Sequence, residues 1–407
     1  MPLRTIVREW GRIGCTGFGG PPAHIALLRK LCVEQRGWLS AAEFEDGVAT
    51  TNLLPGPAST QLAIFCAWRL AGPAGALVGG ACFILPGLVV ILALSALFLA
   101  SHPPLWVTGA AAGAGSAVPA VAAAAAVGLM PASWRRATAA SPSRWVRVRW
   151  VSYLLVGGVV AALAGPFLVL VLAGCGLVEM LIRTGGSRAR PGRSGPDPGQ
   201  DPGQDPGQGP GGRGRPATLL PVALGASAAT GGLLALAWVA FKVGALSYGG
   251  GFVIVPLMQH DAVHTYHWMT GAQFLSAVAL GQVTPGPVVL TVAVVGFAAA
   301  GVAGGLLATL VAFTPSFAFV LVGAPRFAML RRNARVQAFL TGAGPGAIGA
   351  IAGSTIPLGL ELSHLWQLAV LGLAAIWLLA LRKNVVIAIT GTACLGVVAA
   401  LSGAPIG

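Results

Sequence analysis

The chain has 407 residues, 56% hydrophobic and only 9% charged, with a mean hydropathy of +0.80. That is more apolar surface than a soluble core of this length can hide, which excludes a soluble globular protein and points to the lipid bilayer as partner. The formal net charge of +14 would suggest nucleic acid in a soluble chain. Here most basic residues lie at the ends of apolar stretches, where they set membrane topology, and no nucleic-acid partner is expected. Arginine outnumbers lysine 22 to 3 and Ala and Gly dominate, a bias of GC-rich bacterial coding, so the expected location is a bacterial inner membrane. The six cysteines show no CxxC spacing and read as small buried residues rather than a disulfide or metal framework.

In chain order, a charged start with no leader pattern runs into residues 10–28, which read as a broken segment turning at Gly19-Gly20-Pro21-Pro22. Residues 47–68 read as a second one, turning at Pro55-Gly56-Pro57. Two prolines around a glycine do not fit inside an intact helix, because each lacks an N–H and clashes with the preceding turn. The expected form is two half-helices meeting mid-membrane. Stretches 74–100, 105–129, 301–324 and 337–357 are each long and apolar enough for a spanning helix of about 20 residues. Residues 151–182 form one apolar run broken near Gly165-Pro166, expected as a hairpin of two segments by analogy with 365–381 and 384–403. A Gly, Pro and Arg-rich stretch, 184–216, has nothing to bury and reads as a disordered linker. It divides an N-terminal repeat, 1–183, from an unpaired crossing at 217–239 and a C-terminal repeat, 240–407.

The chain repeats itself. Gly14, Phe18-Gly19-Gly20, Trp38-Leu39-Ser40, Phe44 and Pro55-Gly56-Pro57 return roughly 230 residues later as Gly244, Tyr248-Gly249-Gly250, Trp268-Met269-Thr270, Phe274 and Pro285-Gly286-Pro287. Loop charge trades places between the copies. In the first half basic residues crowd 29–36 and 131–149 and avoid 101–106; in the second, 259–270 and 358–366 carry no Arg or Lys while 325–335 carries Arg326, Arg331, Arg332 and Arg335. Loops rich in Arg and Lys stay in the cytoplasm. The expected fold is therefore an all-α polytopic membrane protein of two inverted-topology repeats, with broken or re-entrant helices at the midplane. Irregular backbone at that depth lines a cavity or is buried in protein, which makes the breaks a candidate transport site.

Glycine pairs let backbone N–H groups converge on a ligand, and half-helix N-termini add positive dipole ends, so such a site wants an anion. The candidate substrate-binding residues are Arg12, Gly19, Gly20, Pro55, Gly56, Pro57, Thr60, Gln61, Lys242, Gly249, Gly250, Gln282, Pro285, Gly286 and Pro287. Arg12 and Lys242 occupy equivalent positions in the two copies and supply the expected positive charge; Arg12 has snorkelling to the surface as its competing role. Thr51, Asn52, Ser59, Thr284 and Thr291 are further polar neighbours, with helix capping as the competing reading. Glu43, Glu45 and Asp46 read as a helix start after Ser40 rather than proton carriers. His260, His264 and His267 cluster without a carboxylate or cysteine at ligand spacing, so no metal and no cofactor is expected. An enzyme would need paired acids or a His–acid constellation at the midplane, and the pattern supplies none.

These residues resemble the chromate ion transporter family in its long, two-domain form. The match comprises Phe18 to Pro21, Ala23 to Ala26, Trp38 to Ser40, Asn52 to Pro57 with Ser59-Thr60, Phe83 to Pro86, Ser247 to Gly251 and Gly281 to Pro287. The resemblance implies export of chromate, with sulfate as the look-alike anion, and is compatible with a homo-oligomer. Gln61 stands where the family pattern often has Glu, so a proton-coupled role does not carry over to that position.

Overall fold

The computed structural model describes residues 1–52, 54, 56–139, 143–163, 167–187, 232–247, 253–323 and 333–406. Among the described residues there are helices and no strands, and five helical stretches are long and apolar enough to cross a membrane. Leucines such as Leu163, Leu360 and Leu365 are more than four-fifths exposed at 82%, 81% and 86%. Side chains of that kind over so much of the outer surface mark a face meant for lipid. The chain is a multi-pass membrane protein.

The first half runs through α1 (Leu3–Thr16), α2 (Gly20–Arg29), α3 (Ala41–Thr51), α4 (Ala58–Phe98), α5 (Leu105–Ser116), α6 (Val118–Ala139), α7 (Arg144–Leu163) and α8 (Leu168–Ser187). The second runs through α9 (Leu233–Leu246), α10 (Ile254–Gln259), α11 (Gly271–Val283), α12 (Thr291–Gly323), α13 (Ala334–Leu360), α14 (Leu365–Ala375) and α15 (Val385–Leu401). Local structure repeats along with sequence. A π-turn at Lys30–Gln35 has its counterpart at His260–Thr265. Ser40 and Glu43 make a capping box on α3, and Thr270 and Gln273 make the same box on α11. That assigns Glu43 to a helix start, as the sequence suggested.

The long helices α4 and α12 are each two helices joined by a sharp fold-back. Gly72 (φ 61°, ψ −154°) and Gly301 (φ 62°, ψ −153°) adopt the same conformation, one that only glycine enters readily. After the first reversal Gly79 lies against Ala67, and after the second Gly304 lies against Gly296. The segment before each reversal is thus a half-helix, 58–70 or 291–299, distinct from the long helix that follows. On its other side, Gly47 of α3 packs on the Phe65 ring and Gly281 of α11 packs on Thr291. Both pairs are centred on the glycine of a Pro-Gly-Pro, so the chain turns back at Gly56 and again at Gly286.

Helix packing exchanges partners between the halves. α5 lies along α15, with Gly109 and Gly113 against Gly396 and Thr392, while α13 lies along α7 and α8, with Gly349 and Gly353 against Gly158. A Cβ at Gly353 would enter the Gly158 carbonyl. Small residues on these faces let backbones touch, the usual source of helix association where lipid removes the hydrophobic driving force.

Several sequence expectations shift. The break in 10–28 falls at Gly17–Gly19, one step before the proposed turn, and Gly20, Pro21 and Pro22 form the first turn of α2. Proline there loses no helical hydrogen bond. The run 151–182 is two helices, as the C-terminal counterpart implied. The basic stretch 131–149 is not all loop, because α6 continues to Ala139 and carries Arg135 and Arg136 on a helix. α9, Leu233–Leu246, has the same length as α1, Leu3–Thr16, and lies 230 residues further on. The linker 184–216 beyond Ser187 and residues 217–231 lie outside the described residues.

Candidate functional site

The two Pro-Gly-Pro turns are joined to the opposite copy by a reciprocal pair of hydrogen bonds. Gly56 N–H donates to the Ser247 carbonyl, and Gly286 N–H donates to the Gly17 carbonyl, both at 3.0 Å. Ser247 and Gly17 are equivalent positions, as are Gly56 and Gly286. Gly56 also abuts the Ser316 hydroxyl, and Gly286 abuts Gly87, which is the position equivalent to Ser316. The contacts are reciprocal: each copy's turn meets the equivalent positions of the other copy. Each turn is therefore closed by the broken segment of the other repeat.

Around this joint lies a cavity of about 420 Å³ walled by Gly19, Gly20, Asn52, Ala58, Gln282 and Val288, with small residues of α6 opposite. Asn52 and Ala58 flank one turn and Gln282 and Val288 flank the other, so both turns border the same space. A second cavity of about 230 Å³ adjoins it through Asn52, Ala58 and Leu129 and is faced by Thr51, Gly56, Ser133 and Arg136. Both open onto the start of α4, whose N-cap is Pro57, so a helix dipole points its positive end at them. The wall of the larger cavity is mainly apolar, and its polarity comes from the glycine backbone, Asn52 and Gln282.

Several buried polar atoms near the turns have no hydrogen-bond partner: the hydroxyls of Thr60, Ser247 and Ser316 and the amide nitrogen of Gln282. Thr60, Ser247 and Ser316 are fully buried and Gln282 is 8% exposed. Left unpaired, each such group costs free energy, about 1–3 kcal/mol, so these atoms are where a polar partner would be most stabilising. Gln61 is likewise fully buried, its amide pressed against Gly56. His24 ties the first break to the first turn. Its Nε2 is 2.9 Å from the Gly17 carbonyl, which can only accept, so Nε2 carries the proton and Nδ1 accepts from the Ser59 hydroxyl at 3.3 Å. The second repeat has Ile254 at this position, and the joint is asymmetric in its chemistry.

The chromate transporter family model matches residues 4–180 and 234–397. The chain belongs to the chromate transporter family. A chromate transport protein of Cupriavidus metallidurans is 31% identical over 401 residues, covering 98% of this chain and 93% of that one. Another from Pseudomonas aeruginosa is 28% identical, over 88% of this chain and 81% of its own length. A transporter of Methanocaldococcus jannaschii is 24% identical over 96% of this chain and 93% of its own. No solved structure matches.

In this transporter the candidate residues divide by position. Gly19, Gly20, Gly56 and Gln282 line the cavities, and Pro57, Thr60, Gln61, Pro285, Gly286 and Pro287 form or back the turns. Pro55, Gly249 and Gly250 lie outside the described residues. The two expected cations stand elsewhere. Lys242 Nζ donates to Asp261 at 2.5 Å in a mostly buried pair, and Arg12 is exposed and faces neither cavity. Among the described residues lining these two cavities the basic one is Arg136, which sequence reading assigned to loop charge. Ser247 and Ser316 were also not singled out as ligands; their signal was proximity to motifs in the other copy, which only folding creates.

Proposed function

We propose that the protein exports chromate from the bacterial cytoplasm across the inner membrane as two inverted repeats, and thereby confers chromate resistance. The observation that carries the reading is the reciprocal Gly56–Ser247 and Gly286–Gly17 joint bordering one cavity. Secondary transporters place their substrate between inverted repeats, at broken helices near the midplane. The site offers donors and a helix N-terminus in keeping with an oxyanion. Among the described residues, the buried carboxylates are engaged: Glu9 with Arg36, Asp261 with Lys242, and Glu179 with Arg149 and Arg183. That favours transport driven by membrane potential or by anion exchange over proton-coupled uptake. Outward movement of a dianion across an inside-negative membrane gains about 4.6 kcal/mol per 100 mV, enough for a gradient of roughly a thousandfold.

The test is uptake of labelled chromate into everted vesicles holding the purified protein, with and without an imposed potential, and with sulfate as competitor. Uptake that rises with an inside-positive potential supports export. Uptake indifferent to potential and to exchangeable anions overturns it, and stronger transport of sulfate than of chromate reassigns the substrate.

A further inference from the structure

The α5–α6 pair carries three cavities in register along its length. Thr108, Ala112 and Gly115 face a cavity of about 370 Å³ shared with Gln273, Ser276 and Glu361. Val121, Ala124, Ala125 and Gly128 face the cavity between the Pro-Gly-Pro turns. Leu129, Ala132, Ser133 and Arg136 face the smaller cavity beside Gly56. At 1.5 Å per residue, Thr108 to Arg136 spans about 42 Å, the thickness of a bilayer with its headgroups. The last two cavities share Asn52, Ala58 and Leu129 as a common wall. Between the first and the second the wall is closed: Ser116, Ala117, Val118 and Ala120 are buried at 0–3% exposure. Just before it Gly115 of α5 packs on Leu275 and Ser276 of α11, and the Ser276 hydroxyl, 3.0 Å from the Ala272 carbonyl of its own helix, also lies 3.2 Å from the Ala111 carbonyl.

Charge is arranged along this line. Arg136 stands at one end and the Glu361 carboxylate at the other. The buried, unpartnered Gln282 amide nitrogen lies between them on the central cavity. Small residues and glycine on the wall leave room for a solvated anion and offer no competing charge. We propose that the face of α5–α6 from Thr108 to Arg136 is the wall of the anion's path, that Arg136 is the cation recruiting a tetrahedral dianion at its entrance, and that Ser116–Ala120 is the closed gate in this conformation. The inference deepens the transport reading and rests on it. A cation at a cleft mouth raises the local anion concentration, and the carboxylate at the far end disfavours return.

The experiment uses the full chain with the exposed Cys15 and Cys394 and the half-buried Cys82 replaced by serine and the buried Cys32, Cys66 and Cys175 retained. Single cysteines at Ala132, Ala125, Ala117 and lipid-facing Val127 are treated in vesicles with a charged, membrane-impermeant methanethiosulfonate. Expected are rapid modification of A132C, slower modification of A125C, loss of transport by at least about tenfold in both, and slowing of both reactions by chromate; A117C and V127C are spared. R136Q should raise the KM for chromate about tenfold with little change in Vmax, R136K should recover most of it, and R135Q should match the parent. Modification of A132C without loss of transport, or equal effects of R135Q and R136Q, overturns the proposal. The modification rates are read without any transported substrate. A parent that carries sulfate rather than chromate would correct the substrate and leave the path testable with sulfate.

Discussion

Gly56 and Gly286 hold the same place in two copies but meet different surroundings, so their substitutions should not be equivalent. Both have positive φ, 118° and 99°, a conformation strained for any L side chain. A Cβ on Gly56 would in addition collide with the Gln61 amide and crowd Ser316, whereas the nearest atom to a Cβ on Gly286 is Leu290 at 3.4 Å. Gly56→Val and Gly286→Val should each abolish transport in vesicles, because a β-branched side chain stiffens the break and fills the space. Gly56→Ala should also fail, while Gly286→Ala should retain measurable transport. Full activity of Gly56→Ala would show that the turn tolerates being rebuilt.

The ion pairs change what a lysine or arginine substitution means. Lys242→Gln leaves Asp261 mostly buried without its partner, a loss on the order of 3 kcal/mol. The effect should appear as reduced thermal stability in detergent and be largely recovered in Lys242→Gln/Asp261→Asn. Arg36, a plain loop charge by its sequence position, holds the carboxylate of Glu9, whose side chain is 4% exposed. Arg36→Gln should therefore destabilise as well, by somewhat less, since Arg8 also reaches Glu9 at 3.2 Å. A mutant that binds chromate poorly yet melts like the parent would return Lys242 to the site.

At the scale of single elements, the two capping boxes differ in one proton. Bonds from the Ser40 backbone N–H and hydroxyl hold the Glu43 carboxyl below the usual carboxylate range, with Arg69 adding to the effect. The folded pKa is depressed, so this contribution to α3 is present above the unfolded value and is lost as pH falls through the folded one. Its twin on α11 uses Gln273 and cannot titrate. Hydrogen exchange in the first turn of α3 should speed up between about pH 6 and about pH 3 relative to that of α11, after correction for intrinsic rates. Glu43→Gln should remove the difference, and its persistence would locate the titration elsewhere.

The fold-backs give a cleaner comparison. Gly72 and Gly301 share dihedrals to within two degrees, and a Cβ on either meets nothing within 4 Å. Conformational strain alone then sets the cost of Gly72→Ala and Gly301→Ala, about 1–3 kcal/mol each. The two should be equal and additive, since the sites are independent. Unequal losses of thermal stability would mean that one half carries tertiary contacts at its reversal that the other lacks.

For the molecule as a whole, loop charge predicts that the N-terminus and the linker 184–216 face the cytoplasm and the C-terminus faces outward. The loops around Arg144 and Arg332 should then be labelled from the same face, although they belong to different copies. Cysteine-accessibility labelling that finds them on opposite faces would remove the inverted arrangement while leaving the reciprocal joint intact.

Much of this was legible in the primary structure because membrane folding imposes strong local constraints. Apolar length marks spans, and Pro-Gly-Pro excludes an intact helix. Repetition of Gly14 to Pro57 as Gly244 to Pro287 revealed the duplication without any coordinate, and Ser40-x-x-Glu43 announced its helix start. What tertiary structure decided were the partners. Arg12 and Lys242 have equivalent positions in sequence, yet one is exposed and the other is neutralised by Asp261 across a π-turn. Arg136 moves from a loop to a cavity wall because α6 persists to Ala139. Segment boundaries were read beside Gly72 and at Gly301, but that the chain doubles back there on its preceding half-helix was not, because hydropathy records lipid or protein burial and not chain direction. Sequence determines what a segment can bury and where its backbone must break; which groups then face each other depends on packing between the two copies, and no local pattern encodes that.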